Sequence, residues 1–175
     1  MRLFIACEAS EDVSEELQAL QKQLPDASMT FPKHFHLTFK FLGDVSEEKA
    51  EKVKELLANI KFDKFELCLK PLEVFAPDNV RVVWAGLHPE EPLIALQQQV
   101  DEALRDLFPK EDRFKPHLTI ARVKSLKDRN AFIEHIKNLK VKELCFTIDK
   151  FFLIESKLTP EGPEYTVLRT YESKV

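Results

Sequence analysis

Apolar residues recur along this chain in two rhythms, every third or fourth position and every second position, and stretches of the two kinds alternate from one end to the other. Val13, Leu17, Leu20 and Leu24 form the first helical stripe, closed by Pro25. A second stripe begins after Ser46, a suitable N-cap, and places Ala50, Val53, Leu57 and Ile60 on one face. The third follows Pro92 with Leu93, Leu96, Val100, Leu104 and Leu107 and stops at Pro109. A shorter fourth, near Asp128 to Leu139, presents Phe132, Ile136 and Leu139. Between them lie runs rich in Phe, Val, Ile and Leu that read as strands: Arg2 to Glu8, Phe35 to Leu42, Phe65 to Phe75, Val80 to Leu87, His117 to Val123, Leu144 to Ile154 and Tyr165 to Tyr171. The pattern predicts an α/β protein with four helices.

Length and composition narrow the class. At 175 residues with 44% hydrophobic positions, the chain can bury the core of one domain or of two small packed lobes. Its longest apolar runs, such as Leu3 to Cys7, fall far short of a membrane span, and the N-terminus lacks a signal-peptide core. A cytoplasmic protein with no membrane association is expected. Cys7, Cys68 and Cys145 are far apart in apolar segments, with no Cys-x-x-Cys pair, so buried free thiols are expected and a disulfide or metal role is not. A net charge of −4 and a pI near 5.8 argue against broad non-specific duplex binding, which depends on many Lys and Arg contacts to phosphate. A small phosphate-bearing end can still fit a local basic pocket.

The candidate chemistry lies in a repeated tripeptide. His-Leu-Thr occurs at His36-Leu37-Thr38 and again at His117-Leu118-Thr119, although the composition predicts only about 0.2 His-x-Thr triplets by chance. The two copies are 81 residues apart, and the same shift carries the helix at 46–60 to 127–141, the strand at 65–75 to 146–156, and the opening strand onto the one near Val80 to Leu87. This correspondence predicts two pseudo-symmetric lobes in a single domain over residues 1–175, each with one His-x-Thr strand.

Side chains alternate across a strand, so His36 and Thr38 share one face while Leu37, Phe39 and Phe41 share the other. His117 and Thr119 repeat this, with Leu118 and Ile120 opposite. If the lobes face each other, two His and two Thr line one cleft. One imidazole can then take a proton from water while the other gives one to a departing oxygen. The Thr hydroxyls can donate to non-bridging phosphate oxygens. Such a quartet suits phosphodiester cleavage and needs no metal or other cofactor. Lys40 has the parity of His36 and is a candidate for phosphate binding. Arg122 is another candidate, although ideal alternation sends it to the opposite face unless the strand bends. His88, beside Pro89, and His135, on a helix, read as structural. His34 and His36 form His-x-His on one face, yet no nearby carboxylate or Cys completes an obvious ligand set.

Together with their flanks, these motifs resemble the two-histidine phosphoesterase superfamily, and within it the LigT-like or ThpR-like RNA 2′,3′-cyclic phosphodiesterases, also called 2′-5′ RNA ligases. The resemblance opens at Arg2-Leu3-Phe4-Ile5-Ala6 and runs through His36-Leu37-Thr38-Phe39-Lys40-Phe41-Leu42-Gly43 and Pro116-His117-Leu118-Thr119-Ile120-Ala121-Arg122-Val123. It closes at Ser156-Lys157-Leu158-Thr159-Pro160, Gly162 and Tyr165. It implies a bilobal α/β (α+β) fold with two antiparallel sheets facing a central cleft and helices outside. It implies hydrolysis of RNA 2′,3′-cyclic phosphate ends to 2′-phosphate ends, with His36 as proton donor and His117 as proton acceptor. The implied partners are RNA ends bearing the cyclic phosphate, including tRNA halves and nucleotides, met by a monomer. Reversible 2′-5′ ligation of tRNA halves and a non-catalytic RNA-end binding module are the competing readings. His34 departs from relatives that often have Asn there, and Phe35, Phe75, Trp84 and Tyr165 are candidates for stacking on a nucleobase.

Overall fold

The computed structural model describes residues 1–75 and 80–174, which form nine strands and four helices. In chain order these are β1 (Arg2–Glu8), α1 (Glu11–Gln23), β2 (Ser28–Thr30), β3 (His36–Asp44), α2 (Glu47–Leu57), β4 (Phe65–Phe75) and β5 (Val82–His88). They continue with α3 (Glu91–Ala103), β6 (His117–Ser125), α4 (Arg129–Asn138), β7 (Cys145–Ile148), β8 (Lys150–Thr159) and β9 (Gly162–Glu172). All four expected helices are present. Ser46 caps α2 by accepting from the Lys49 amide, and Asp128 caps α4 by accepting from Ala131, so the polar residues ahead of each apolar stripe set the helix starts.

The strands divide into two antiparallel sheets, ordered β3-β1-β8-β9 and β2-β6-β5-β4-β7. β2 was not expected, because three residues are too few to show a period. The single strand expected from Leu144 to Ile154 is two, β7 and β8. Asp149 separates them, and each half joins a different sheet. β8 and β9 turn through Pro160 and Glu161 into Gly162, whose φ of +119° only glycine adopts cheaply.

One continuous core packs the helices against one face of each sheet, from Ile5, Leu37 and Phe39 to Leu118, Ile120 and Leu153. A second apolar cluster, Phe4, Ala6, Phe152 and Ile154, lies on the opposite face of β1 and β8, so β1 is buried on both sides. The helices pack crosswise: α1 follows β1 in the chain but rests on β6, whereas α3 follows β5 and rests on β3. This ties the two sheets together, and β3 and β6 themselves touch at the junction. Among the described residues no helix is long and apolar enough to cross a membrane.

The cysteines require a correction. Cys7 is a buried free thiol as expected, but Cys68 and Cys145 form a disulfide between β4 and the edge strand β7. They stand directly opposite in the ladder, a proximity that 77 residues of sequence separation conceal. Glu66 lies beside them, and this trio is the sole group with metal-ligand spacing found among the described residues; its thiols are consumed by the bond.

Candidate active site

β3 and β6 match in length and in burial pattern. Their bounds are 81 residues apart at both ends, and residue by residue they show the same sequence of half-buried, buried and exposed positions. Both contain an extra residue at the same place, and β3 has a second one further on, at Leu42. In β3 the ladder with β1 passes from Thr38 to Lys40 across a single step of β1, leaving Phe39 as the bulge. In β6 the ladder with β5 passes from Thr119 to Ala121, leaving Ile120. A bulge reverses the alternation beyond it.

That reversal changes three expectations. Lys40 does not share the face of His36. Its side chain is 5% exposed, points to the core side, pairs with Asp101 of α3 and donates to the Pro109 carbonyl at 2.7 Å. Phe41, expected on the apolar face, is instead 72% exposed and meets Phe4 at 6.0 Å on the histidine side. Arg122 is Phe41's counterpart in β6. The bulge turns it to the face of His117, and its charge is felt there.

Both bulges are held by side chains from the crosswise helices. Gln21 of α1 donates to the Ile120 carbonyl at 3.0 Å and to Pro32 at 3.1 Å. Gln97 of α3 donates to the Phe39 carbonyl at 3.4 Å and to Asp101 at 3.0 Å, and Asp101 also accepts from the Glu111 amide at 3.1 Å. Both carboxylate oxygens of Asp101 and two of the three donors of Lys40 are thus engaged, and such partners are what make a buried pair tolerable in a core.

The two histidines sit in different surroundings. His36 is edge-on to Tyr165 at 4.9 Å and to Phe4 at 5.5 Å, stacks beside His34 at 6.1 Å, and has Nε2 3.5 Å from Glu8 Oε1. Burial pushes its pKa below the ordinary imidazole value. The Glu8 carboxylate opposes that push, and His34 adds to it. His117 packs edge-on to Phe75 at 5.1 Å and to Trp84 at 5.9 Å, with the Lys115 ammonium over the Trp84 ring. Its Nδ1 lies 2.6 Å from the Lys115 carbonyl. A carbonyl can only accept, so the proton of neutral His117 resides on Nδ1 and Nε2 keeps a free lone pair. Burial lowers this pKa too; the Lys115 carbonyl raises it and Arg122 lowers it further. Thr38 and Thr119 are half-buried beside their histidines.

Among the aromatic candidates, Phe35 and Trp84 are buried and Phe75 is covered by Trp84, stacked at 4.5 Å. Tyr165 is 38% exposed, against His34 and His36. Glu8 escaped the sequence reading because it ends an apolar run; only the ladder, which sets it opposite His36, reveals it.

Two linked antiparallel sheets with four helices, each sheet contributing one His-x-Thr strand, define the LigT-like class of mixed α/β proteins. Solved structures agree: TT0787 of Thermus thermophilus superposes with a TM-score of 0.84 at 28% identity, over 98% of this chain and 97% of that one. Escherichia coli LigT in complex with 3′-AMP gives 0.80 at 24% identity over 99% and 98%, a likeness of fold. The 2′-5′ RNA ligase superfamily matches residues 9–159, and the chain belongs to that family. Relatives called RNA 2′,3′-cyclic phosphodiesterase include those of Methanocaldococcus jannaschii, 35% identical, and Archaeoglobus fulgidus, 34% identical. Each alignment covers 98% of this chain and 100% of the relative.

Proposed function

We infer that the protein hydrolyses RNA 2′,3′-cyclic phosphate ends to 2′-phosphate ends, using His36 as proton donor and His117 as proton acceptor. The observation that carries this reading is the duplicated bulged strand, which puts a His, a Thr and, in β6, an Arg on one face. We read the 81-residue correspondence as a duplication within one domain, its two His-x-Thr faces turned to a shared cleft. His117 Nε2 takes a proton from water as the water oxygen bonds to phosphorus. The bond from phosphorus to O3′ breaks, and His36 gives its proton to O3′. Thr38, Thr119 and Arg122 receive the non-bridging oxygens, where negative charge grows. Imidazoles supply both proton transfers, so no step calls for a metal. Names of relatives at 34% and 35% identity support the substrate class.

Incubation with an oligonucleotide ending in a 2′,3′-cyclic phosphate, with EDTA present, tests this. A 2′-phosphate product at undiminished rate is expected. Binding without turnover makes the protein an RNA-end binding module, and loss of activity to EDTA contradicts the metal-free mechanism. With a 5′-hydroxyl attacking phosphorus in place of water, the same groups would join RNA halves through a 2′-5′ bond, the reaction that gives the family its name; in water hydrolysis prevails.

A further inference from the structure

β3 and β6 are copies in tripeptide, bulge and burial, yet hydrolysis of this kind needs one imidazole charged and the other neutral. The difference between them lies in the strands alongside. In the ladders, Glu8 of β1 stands opposite His36, and Gly86 of β5 stands opposite His117. Glu8 Oε1 is 3.5 Å from His36 Nε2. At Gly86 a Cβ would meet Lys70 Cβ at 3.3 Å and the Trp84 ring at 3.5 Å, so packing there favours a residue with no side chain.

We propose that Glu8 is the positioning residue that assigns the acid role to His36, and that its absence at the Gly86 position leaves His117 free to act as base. This rests on the hydrolytic reading above. A carboxylate is an acceptor only, so it fixes one proton on Nε2, and its charge stabilises the doubly protonated ring that can give a proton away. The burial of the two partners suits these roles. The Glu8 side chain is 49% exposed, whereas His36 is 11% exposed and meets the carboxylate from a drier environment. The other groups around His36 do not supply this charge. Phe4 is apolar, Tyr165 offers an aromatic edge, and His34 from the preceding segment repels a positive charge on His36. β6 of the other sheet carries His117 and cationic Arg122, and the small cavity that Glu8 lines is also lined by Asp149 and Lys150, neither of which is among the charges acting on His36.

The test is Glu8→Gln, followed by an NMR titration of the two imidazoles and by kcat as a function of pH. The His36 midpoint is expected to fall by about one unit while that of His117 stays, and kcat near neutrality to fall about tenfold with KM within about twofold. The alkaline limb of the profile moves to lower pH, because an acid with a lower pKa is lost sooner as pH rises. Glu8→Asp keeps the His36 midpoint above that of Glu8→Gln. An unchanged His36 midpoint, or a fall in kcat that is uniform across pH, overturns the assignment. If the wild type has no cyclic-phosphate activity, the hydrolytic reading fails, and the titration still reports whether Glu8 sets the charge of His36.

Discussion

β3 and β6 present similar backbones with different side chains around them, and the contrast between them separates what the backbone supplies from what the side chains add. Both strands deliver a His and a Thr to one face, bend at the same residue and have that bend held by a helix packed crosswise. That shared part gives two imidazoles and two hydroxyls without direction. In the proposed mechanism direction would come from the differences at matched sites: Lys40 against Ala121 on the core side, Phe41 against Arg122 on the histidine side, and Glu8 against Gly86 in the neighbouring strands. Both histidines have aromatic neighbours, but a carboxylate stands beside His36 and a guanidinium beside His117.

Replacing either histidine breaks the comparison most severely. His36→Ala and His117→Ala should each lower turnover by about 10²- to 10⁴-fold with unchanged circular dichroism, as expected for losing an acid or a base. Comparable activity in either variant removes the two-histidine account. Lys40→Met comes next, and its effect is on stability: Asp101 is left buried and unpaired, which costs about 3–5 kcal/mol in urea unfolding. Adding Asp101→Leu should recover most of that loss. A large rise in KM in the folded Lys40→Met protein would instead return Lys40 to the phosphate site.

Arg122→Ala should lower kcat/KM by about 10- to 100-fold, the worth of one charge-assisted hydrogen bond, whereas Phe41→Ala should change it less than about threefold. Equal effects would mean that the two strands do not divide the work as their side chains suggest. The smallest effect concerns pH. Burial lowers both imidazole pKa values. The optimum of kcat/KM lies midway between the two, so it should fall below the ordinary imidazole value of about 6.5. An optimum above that value contradicts the placement of both rings in drier surroundings.

The sequence made the helices, the paired motif and the α/β class legible, because apolar periodicity and a repeated tripeptide are local signals. The bulges were not legible. One extra residue leaves no mark in composition, yet it reversed the parity on which the placing of Lys40, Phe41 and Arg122 depended. Aligning the copies by their 81-residue offset contains the missing hint, since it sets Phe41 on Arg122. Glu8 and the Cys68–Cys145 bond were hidden for a different reason: both are pairings between strands distant in sequence, and only the ladder order brings them together.

The most direct test of the division of roles is the pH profile of single-turnover cleavage for the wild type, His36→Ala and His117→Ala on one cyclic-phosphate oligonucleotide. The wild type should give a bell. His36→Ala should lose the alkaline limb, because the acid is gone, and His117→Ala the acid limb, because the base is gone. Limbs lost in the opposite order, or a bell retained in both variants, would contradict the account.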